Sequence, residues 1–313
     1  MKILNTANAR IIDPLLTNHL RGYTHAERVG HILFPKVPVL VRGGKRIEFG
    51  KESFRLYNTR RAAGSATKRI QFGYEGKPFS LEQHALEGKV PFEFMAEADK
   101  VPGFNLGQRA VNVVSDVISL DTEYLAATRA RDAANYDANH KVVLAGADQW
   151  DDAASDPKAD IKAAKSAIRA TCGHYPNVMV ISPKVFEALD DHPKILEKFK
   201  YTSSDSITVE MLAKYFDVDR VVVGKSVYAD ETNNDEFADL WGLDVVLAYV
   251  ATNQDVEVPS YGYTYQLEGF PIVEEPYSER NAKSWFYPVT DELSPELVGA
   301  EAGFLIQNAV SGA

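Results

Sequence analysis

Between Leu106 and Tyr136 apolar residues recur in steps of three and four: Leu106, Ala110, Val113, Val117, Leu120 and Tyr124, with Val114, Ile118 and Leu125 widening the stripe. That is the period of an amphipathic helix. No proline or glycine interrupts 108–136, so the spacing predicts a helix of roughly 30 residues spanning about 45 Å. This is longer than a compact domain ordinarily needs. It reads as a spine, with Val113, Val117 and Tyr124 on the face against which other elements pack.

Upstream the period changes to two. Ile47, Phe49, Phe54 and Leu56 alternate with polar residues, 62–66 is a tip of small residues, and Ile70, Phe72 and Tyr74 alternate on the way back, the pattern of a long β-hairpin. With about 12 residues per limb it would reach about 40 Å. A two-stranded ribbon of that length is marginal alone, so it is expected to lie on a neighbour. Residues 1–41, interrupted by Pro14, Pro35 and Pro38, read as an extended arm with little helical pattern that packs on something else.

After Asn139 the pattern is α/β. "HKVVLAG", "NVMVIS", "DRVVVG" and "DVVLAYVA" read as short buried strands. Asp160–Thr171 reads as a helix ended by Gly173, and Ser182 with Pro183, Pro193 and Thr208 start three more. "YGYTYQL" puts Tyr261, Tyr263 and Tyr265 on one strand face, and antiparallel strands are expected to close the chain.

Composition adds exclusions. With 45% hydrophobic and 25% charged residues the 313-residue chain is neither disordered, collagen-like nor coiled coil. One cysteine, Cys172, excludes an intrachain disulfide framework. No run of 18 uncharged apolar residues exists, which argues against a helical membrane span, and the first twenty residues lack a secretory apolar core, which points to a cytoplasm. Net charge is −10, yet residues 1–110 carry +8 and residues 111–313 carry −18. The bias is sharpest in 42–77, where Arg42, Lys45, Arg46, Lys51, Arg55, Arg60, Arg61, Lys68, Arg69 and Lys77 face only Glu48, Glu52 and Glu75. A solvated basic face, an acidic patch on a second copy of the chain and nucleic acid are the readings of that cluster. The second is preferred because the acidic counterpart is in the same sequence. Phe54, Tyr57, Phe72 and Tyr74 form no nucleic-acid recognition module.

Signatures of catalysis fail one by one, and no catalytic, cofactor-binding or metal-ligating residue is assigned. "VVVGKS" ends like a phosphate loop, but Asp219 stands where the earlier glycine is needed. Cys172 and His174 are two apart without an orienting group. The seven histidines show no ligand spacing, and the acidic loops at Asp148–Asp156 and Asp230–Glu236 miss the calcium-loop glycine and terminal glutamate.

The order of parts, together with "VMVISPKVFEALDDHPKILEKFKY" (178–201), "VDRVVVGKSVY" (218–228), "LWGLDVVLAYV" (240–250) and "PSYGYTYQLEG" (259–269), resembles the tailed-phage major capsid proteins of the Hong Kong 97-type fold. The resemblance covers nearly the whole chain. It implies an α+β fold with an N-terminal arm (1–45), an extended loop (46–90), a peripheral domain with the spine helix (91–141 and 263–313) and an α/β axial domain (142–262). It further implies a non-enzymatic coat subunit of the virion that self-assembles in the host cytoplasm. Pentamers and hexamers of it would form an icosahedral head around double-stranded DNA, bound without sequence specificity and with no membrane. Many relatives carry a scaffolding segment ahead of the arm; none is present in this sequence, so assembly is expected to need a separate scaffold or prior processing. Separate scaffold and portal proteins are the expected partners, with a decoration protein as an optional one. Arg55, Arg60, Arg61, Lys68 and Arg69 are then the candidate intersubunit cations. Some relatives crosslink through a loop lysine; Lys51 and Lys68 lie in that region, but no motif carries the role over. An encapsulin-like shell protein and a nucleic-acid-binding protein using the basic hairpin are the alternatives, the latter marked by steep salt dependence.

Overall fold

The structure, a computed structural model, describes residues 12–23, 25, 27–45, 60–61, 78–98, 105–199, 207–229, 236–252 and 260–312. In chain order the first elements are α1 (Pro14–Gly22), α2 (Gly30–Leu33), β1 (Lys36–Val39), β2 (Gly43–Lys45), β3 (Pro78–Ser80), β4 (Glu82–Pro91), α3 (Phe92–Ala98) and α4 (Leu106–Arg131). Then come β5 (Lys141–Val143), α5 (Pro157–Cys172), β6 (Val178–Ile181), α6 (Pro183–Asp191), α7 (Pro193–Phe199), α8 (Val209–Phe216) and β7 (Arg220–Val223). The chain continues through β8 (Val227–Tyr228), β9 (Ala238–Asp239), β10 (Val245–Ala248), β11 (Gly262–Leu267), β12 (Ile272–Val273), β13 (Tyr277–Glu279), β14 (Ser284–Leu297) and β15 (Gly303–Gln307).

Two sheets organise these elements. The first is built on β14, which pairs antiparallel with β4 over ten residues and with β13, β12 and β11 in turn; β1 joins β11 in parallel. The second has the order β5-β15-β10-β6-β7 and is mixed, with β15 parallel to β5 and β6 parallel to β7. Its inner strands β6 and β10 are buried at every position, which is why they read as unbroken valine-rich runs. Their helices start where the sequence put the caps: the side chains of Asp156, Ser182 and Thr208 each accept from a backbone N–H three residues on. Gly173 ends α5 at φ 76°, a left-handed position that favours glycine.

Three expectations need correction. The extended loop was expected to run to residue 90, but 82–90 are sheet residues of β4. Residues 303–310, expected in the peripheral unit, pack with the α/β body, because β15 completes its sheet and Phe304, Ile306, Ala309 and Val310 enter its core. Among its described residues the arm is not mainly extended. Asp13 caps α1 by accepting from the N–H groups of Leu15 and Leu16, with Pro14 in the first turn, a start signal legible in "DPLL". The arm also packs on its own subunit, burying Leu20, Leu33, Phe34 and Val37.

The spine helix is present over 26 residues, about 39 Å, but its packing face is one residue out of phase with the expected stripe. Val113, Val117 and Tyr124 are 55%, 49% and 39% exposed, whereas Val111, Val114, Ile118, Ala126, Ala127 and Ala130 are buried. Val113 with Val117 and Val114 with Ile118 form two adjacent apolar faces, so hydrophobicity alone could not phase the helix. The small residues decide, because they let the helix press closely on its neighbours.

One buried charge joins the arm, the spine and the α/β body. Glu123, 3% exposed, accepts from the backbone N–H of Val29 (3.0 Å) and the indole Nε1 of Trp241 (3.0 Å) with one oxygen, and from the N–H of Gly30 (2.6 Å) with the other. A Cβ at Gly30 would lie 2.6 Å from that oxygen, so the close approach requires glycine. Arg28 and Ser226 lie beside it: Arg28 Nη1 donates to Ser226 Oγ at 2.9 Å, and Ser226 donates onward to Glu27 O at 3.1 Å. At the spine's C-terminus Arg131 donates to Asp244 Oδ2 (2.7 Å) and to Leu240 O (3.0 Å), where a cation also suits the helix dipole.

Glu123→Ala strands three donors at a buried position and should cost about 3 kcal/mol. At this chain length that is a fall of about 5 °C in the subunit's melting temperature by calorimetry, with Glu123→Gln losing less because one oxygen acceptor survives. The phase of the spine is tested by a pair: Ile118→Ala should cost about 3 kcal/mol through a core cavity, while Val113→Ala should stay within about 0.5 kcal/mol. Equal effects in denaturant titrations would contradict the phase described.

Candidate assembly surfaces

The cations are expected on an extended loop, most of which lies outside the described residues; the strands that flank the stretch are described. β2 and β3 pair antiparallel, Gly43 opposite Ser80 and Lys45 opposite Pro78, so the two ends of the 46–77 stretch lie side by side, as a hairpin requires. Leu81 N–H donates to Arg42 O at 2.8 Å, and Phe79 stacks on Tyr265 at 4.6 Å between ring centres. Arg42 fixes the root electrostatically. Its Nε and Nη2 donate to the two oxygens of Glu292 at 2.7 and 2.8 Å, a bidentate geometry that also fixes orientation. Glu292 is buried in β14 while Arg42 is largely exposed. Of the predicted loop cations, Arg60 and Arg61 are exposed; Arg55, Lys68 and Arg69 lie outside the described residues, as do Lys51 and most of the predicted hairpin.

On the other face of β14, Asp291 stands opposite His84 of β4. Burial holds the Asp291 carboxyl above its usual range, against the pull of Lys36 and of its hydrogen bonds from Gln266 Nε2 (2.7 Å) and Glu292 N–H (2.9 Å). His84 Nδ1 meets Asp121 Oδ2 of the spine at 2.9 Å. These polar groups sit at the seam between sheet and helix, where they fix the register of one on the other.

Residues considered for chemistry have structural tasks here. Ser226, at the end of "VVVGKS", belongs to the arm anchorage. Burial raises the Cys172 thiol above its ordinary pKa, and His174 stacks on Tyr249 at 4.5 Å, so the two form no nucleophile–base pair. Asp156 caps α5, and Asp151 accepts from the N–H of Ser311 at 3.1 Å. Among the described residues no group of three or more His, Cys, Asp and Glu side chains is gathered for a metal ion, and no helix is long and apolar enough to cross a membrane.

Two structural interactions escaped sequence reasoning. Glu123 would have been visible as a lone acid on the buried stripe had the spine been phased on Val111, Val114 and Ile118. The Arg42–Glu292 pair joins residues 250 apart, and nothing local in the sequence announces it.

What remains exposed is the surface an assembling subunit would use. Leu40 and Val41, at the foot of the loop, are 81% and 57% exposed, and the spine presents Val113, Val117 and Tyr124 outward.

Comparison with known proteins gives these surfaces their context. Residues 134–276 match the family model for phage major capsid protein E. The chain is 38% identical over 303 residues, 95% of its length and 96% of the relative's, to a major capsid protein of Burkholderia phage BcepMu. The crystal structure of a phage-related protein from Bordetella bronchiseptica RB50 superposes with a TM-score of 0.85 at 48% identity, covering 96% of this chain and 98% of that one. At the level of fold alone, the mature capsid of bacteriophage PhiM1 (TM-score 0.52, 12% identity, 91% and 88% covered) and an encapsulin from Synechococcus elongatus PCC 7942 (0.55, 11%, 92% and 89%) share the architecture. This is the Hong Kong 97-type capsid fold, and the close identity lies with the phage coat proteins, not with the encapsulin. The chain belongs to the phage major capsid proteins and is a coat subunit of the phage head.

Proposed function

We propose that the subunit builds an icosahedral head from pentamers and hexamers around double-stranded DNA, and that the basic 42–77 stretch of each copy is held against acidic surface of the next. The observation that carries the electrostatic part is the root of that stretch. β2 and β3, clamped by Arg42 on Glu292, deliver a strongly basic stretch from a body whose remaining two-thirds carries −18. Arg55, Arg60, Arg61, Lys68 and Arg69 act as the intersubunit cations. The α/β body with β15 serves as the axial domain around the capsomer axes, and the β14 sheet with the spine as the peripheral domain. Separate scaffold and portal proteins, with a decoration protein where one exists, complete assembly in the host cytoplasm. The acidic excess suits a shell that must enclose DNA without adhering to it.

Individual exposed ion pairs are worth about 0.5 kcal/mol, and reversing several at once turns attraction into repulsion at every copy. The quadruple variant Arg60→Glu, Arg61→Glu, Lys68→Glu, Arg69→Glu should therefore remain folded by circular dichroism yet form neither shells nor rings in sedimentation and negative-stain microscopy. Unchanged assembly of that variant would remove the electrostatic part of this account.

A further inference from the structure

On one side the five-stranded sheet ends at β7, and no described strand continues it. The N–H groups of Arg220 and Gly224 donate to Asn177 O and Ile181 O on the β6 side, at 3.0 and 2.9 Å. A parallel ladder alternates, so the N–H and C=O groups of Val221 and Val223 turn away from β6, where no described backbone group pairs with them. Val221 is only 5% exposed, and backbone that is both buried and unpaired is rare. Each face of this open edge meets a cavity. One, of about 840 Å³, reaches Arg220 and Val222 and is walled by the arm and the spine. The other, of about 910 Å³, runs along the edge between α6 and α8, on the face where Val221 and Val223 pack with Phe186 and Val209. This is the geometry of strand addition, in which main-chain bonds hold the guest and pockets receive its alternate side chains.

The two cavities differ in chemistry. In the first the acids are answered: Glu123 by three donors, Asp291 by Gln266 Nε2 and Asp116 by Tyr23 Oη at 3.1 Å. Lys36 and Arg220 line it without a bonded side-chain partner among the described residues. Burial lowers the His31 pKa, and the charges of Arg220 and Lys36 add to that against the pull of Glu123, which places these three basic groups near one another. In the second cavity Lys214 and Lys225 offset Glu187, Glu210 and Asp219 around the apolar side chains. A fitting guest strand therefore alternates acidic and apolar residues. We infer that β7 receives segment 255–258 of a second copy of the chain. Asp255, Val256, Glu257 and Val258 alternate in that way; this segment lies outside the described residues. As a strand it puts both carboxylates on one face, toward Lys36 and Arg220, and both valines on the other, toward Phe186 and Val209. Pro259 follows and favours extended backbone at Val258. The inference rests on the coat-protein reading and adds to it a main-chain contact between copies.

Amide hydrogen exchange read by mass spectrometry tests it. In shells assembled from this chain alone, Val221 and Val223 should exchange at least about tenfold more slowly than in dissociated subunits, because their N–H groups gain acceptors. Lys36→Glu with Arg220→Glu should leave the subunit folded and abolish shell formation, and adding Asp255→Lys with Glu257→Lys should restore it. Equal exchange in subunits and shells would overturn the inference, as would protection gained only when other head proteins are added. Shells formed unchanged by the Lys36→Glu, Arg220→Glu chain, or a charge swap that restores nothing, would overturn the choice of segment. If the reversed chain fails to fold, exchange in the unsubstituted protein still decides. Should the unsubstituted chain form no shells even with the other head proteins present, it is the coat-protein reading that fails.

Discussion

The Glu123 carboxylate is the constraint on which the arrangement of the subunit depends. A charge taken out of water is costly unless every oxygen is answered, and here it is answered by groups from two places: the backbone at the entrance to α2 and the indole of Trp241 in the α/β body. Those donors converge only if the arm crosses the spine at Gly30 and the body is seated against the same turn of helix. The carboxylate therefore specifies geometry more than it adds stability. A different seating of the arm would leave a bare charge inside. Arg131 on Asp244 and Arg129 on Glu296, at 2.7 and 2.8 Å, add ion pairs to both sheets within the next two turns, at the C-terminal end of the spine.

That device also explains what sequence reasoning could and could not see. The α/β strands were legible because double-faced burial leaves continuous apolar runs, and their helices because Ser182, Thr208 and Gly173 act locally through caps. The length and start of the spine were legible too. Its phase was not, since Val113, Val114, Val117 and Ile118 offer two equally apolar faces and only tertiary contact chooses between them. The arm misled because Pro35 and Pro38 read as edge-strand residues and drew attention from the Asp13–Pro14 cap. The roots of the loop, held by Arg42 on Glu292 and by Phe79 on Tyr265, depend on contacts between residues far apart in sequence, which no local pattern encodes. The family, by contrast, was legible from the order of parts and four sequence blocks, because the comparison needs no correct phase.

A subunit whose arm is folded onto itself changes the account of assembly. An arm that had to wait for a neighbour would leave the free chain partly unfolded, and association would have to supply the missing burial. Here Leu33 and Phe34 are already fully buried within one chain, so the described arm is part of the rigid subunit. What is left for neighbours is surface: the exposed Leu40 and Val41, the outward face of the spine and, among the described cations, Arg60 and Arg61.

Magnitudes then favour many weak contacts over one strong one. Covering the exposed halves of Val113, Val117 and Tyr124 is worth about 1 kcal/mol each, and association costs at least about 4 kcal/mol in lost freedom. Two copies meeting only at these side chains would not stay together. In a ring where each subunit has contacts on two sides, the later contacts become intramolecular. Contacts of this size are individually too weak to trap a misplaced subunit, which is the balance a shell needs if errors are to dissociate before it closes.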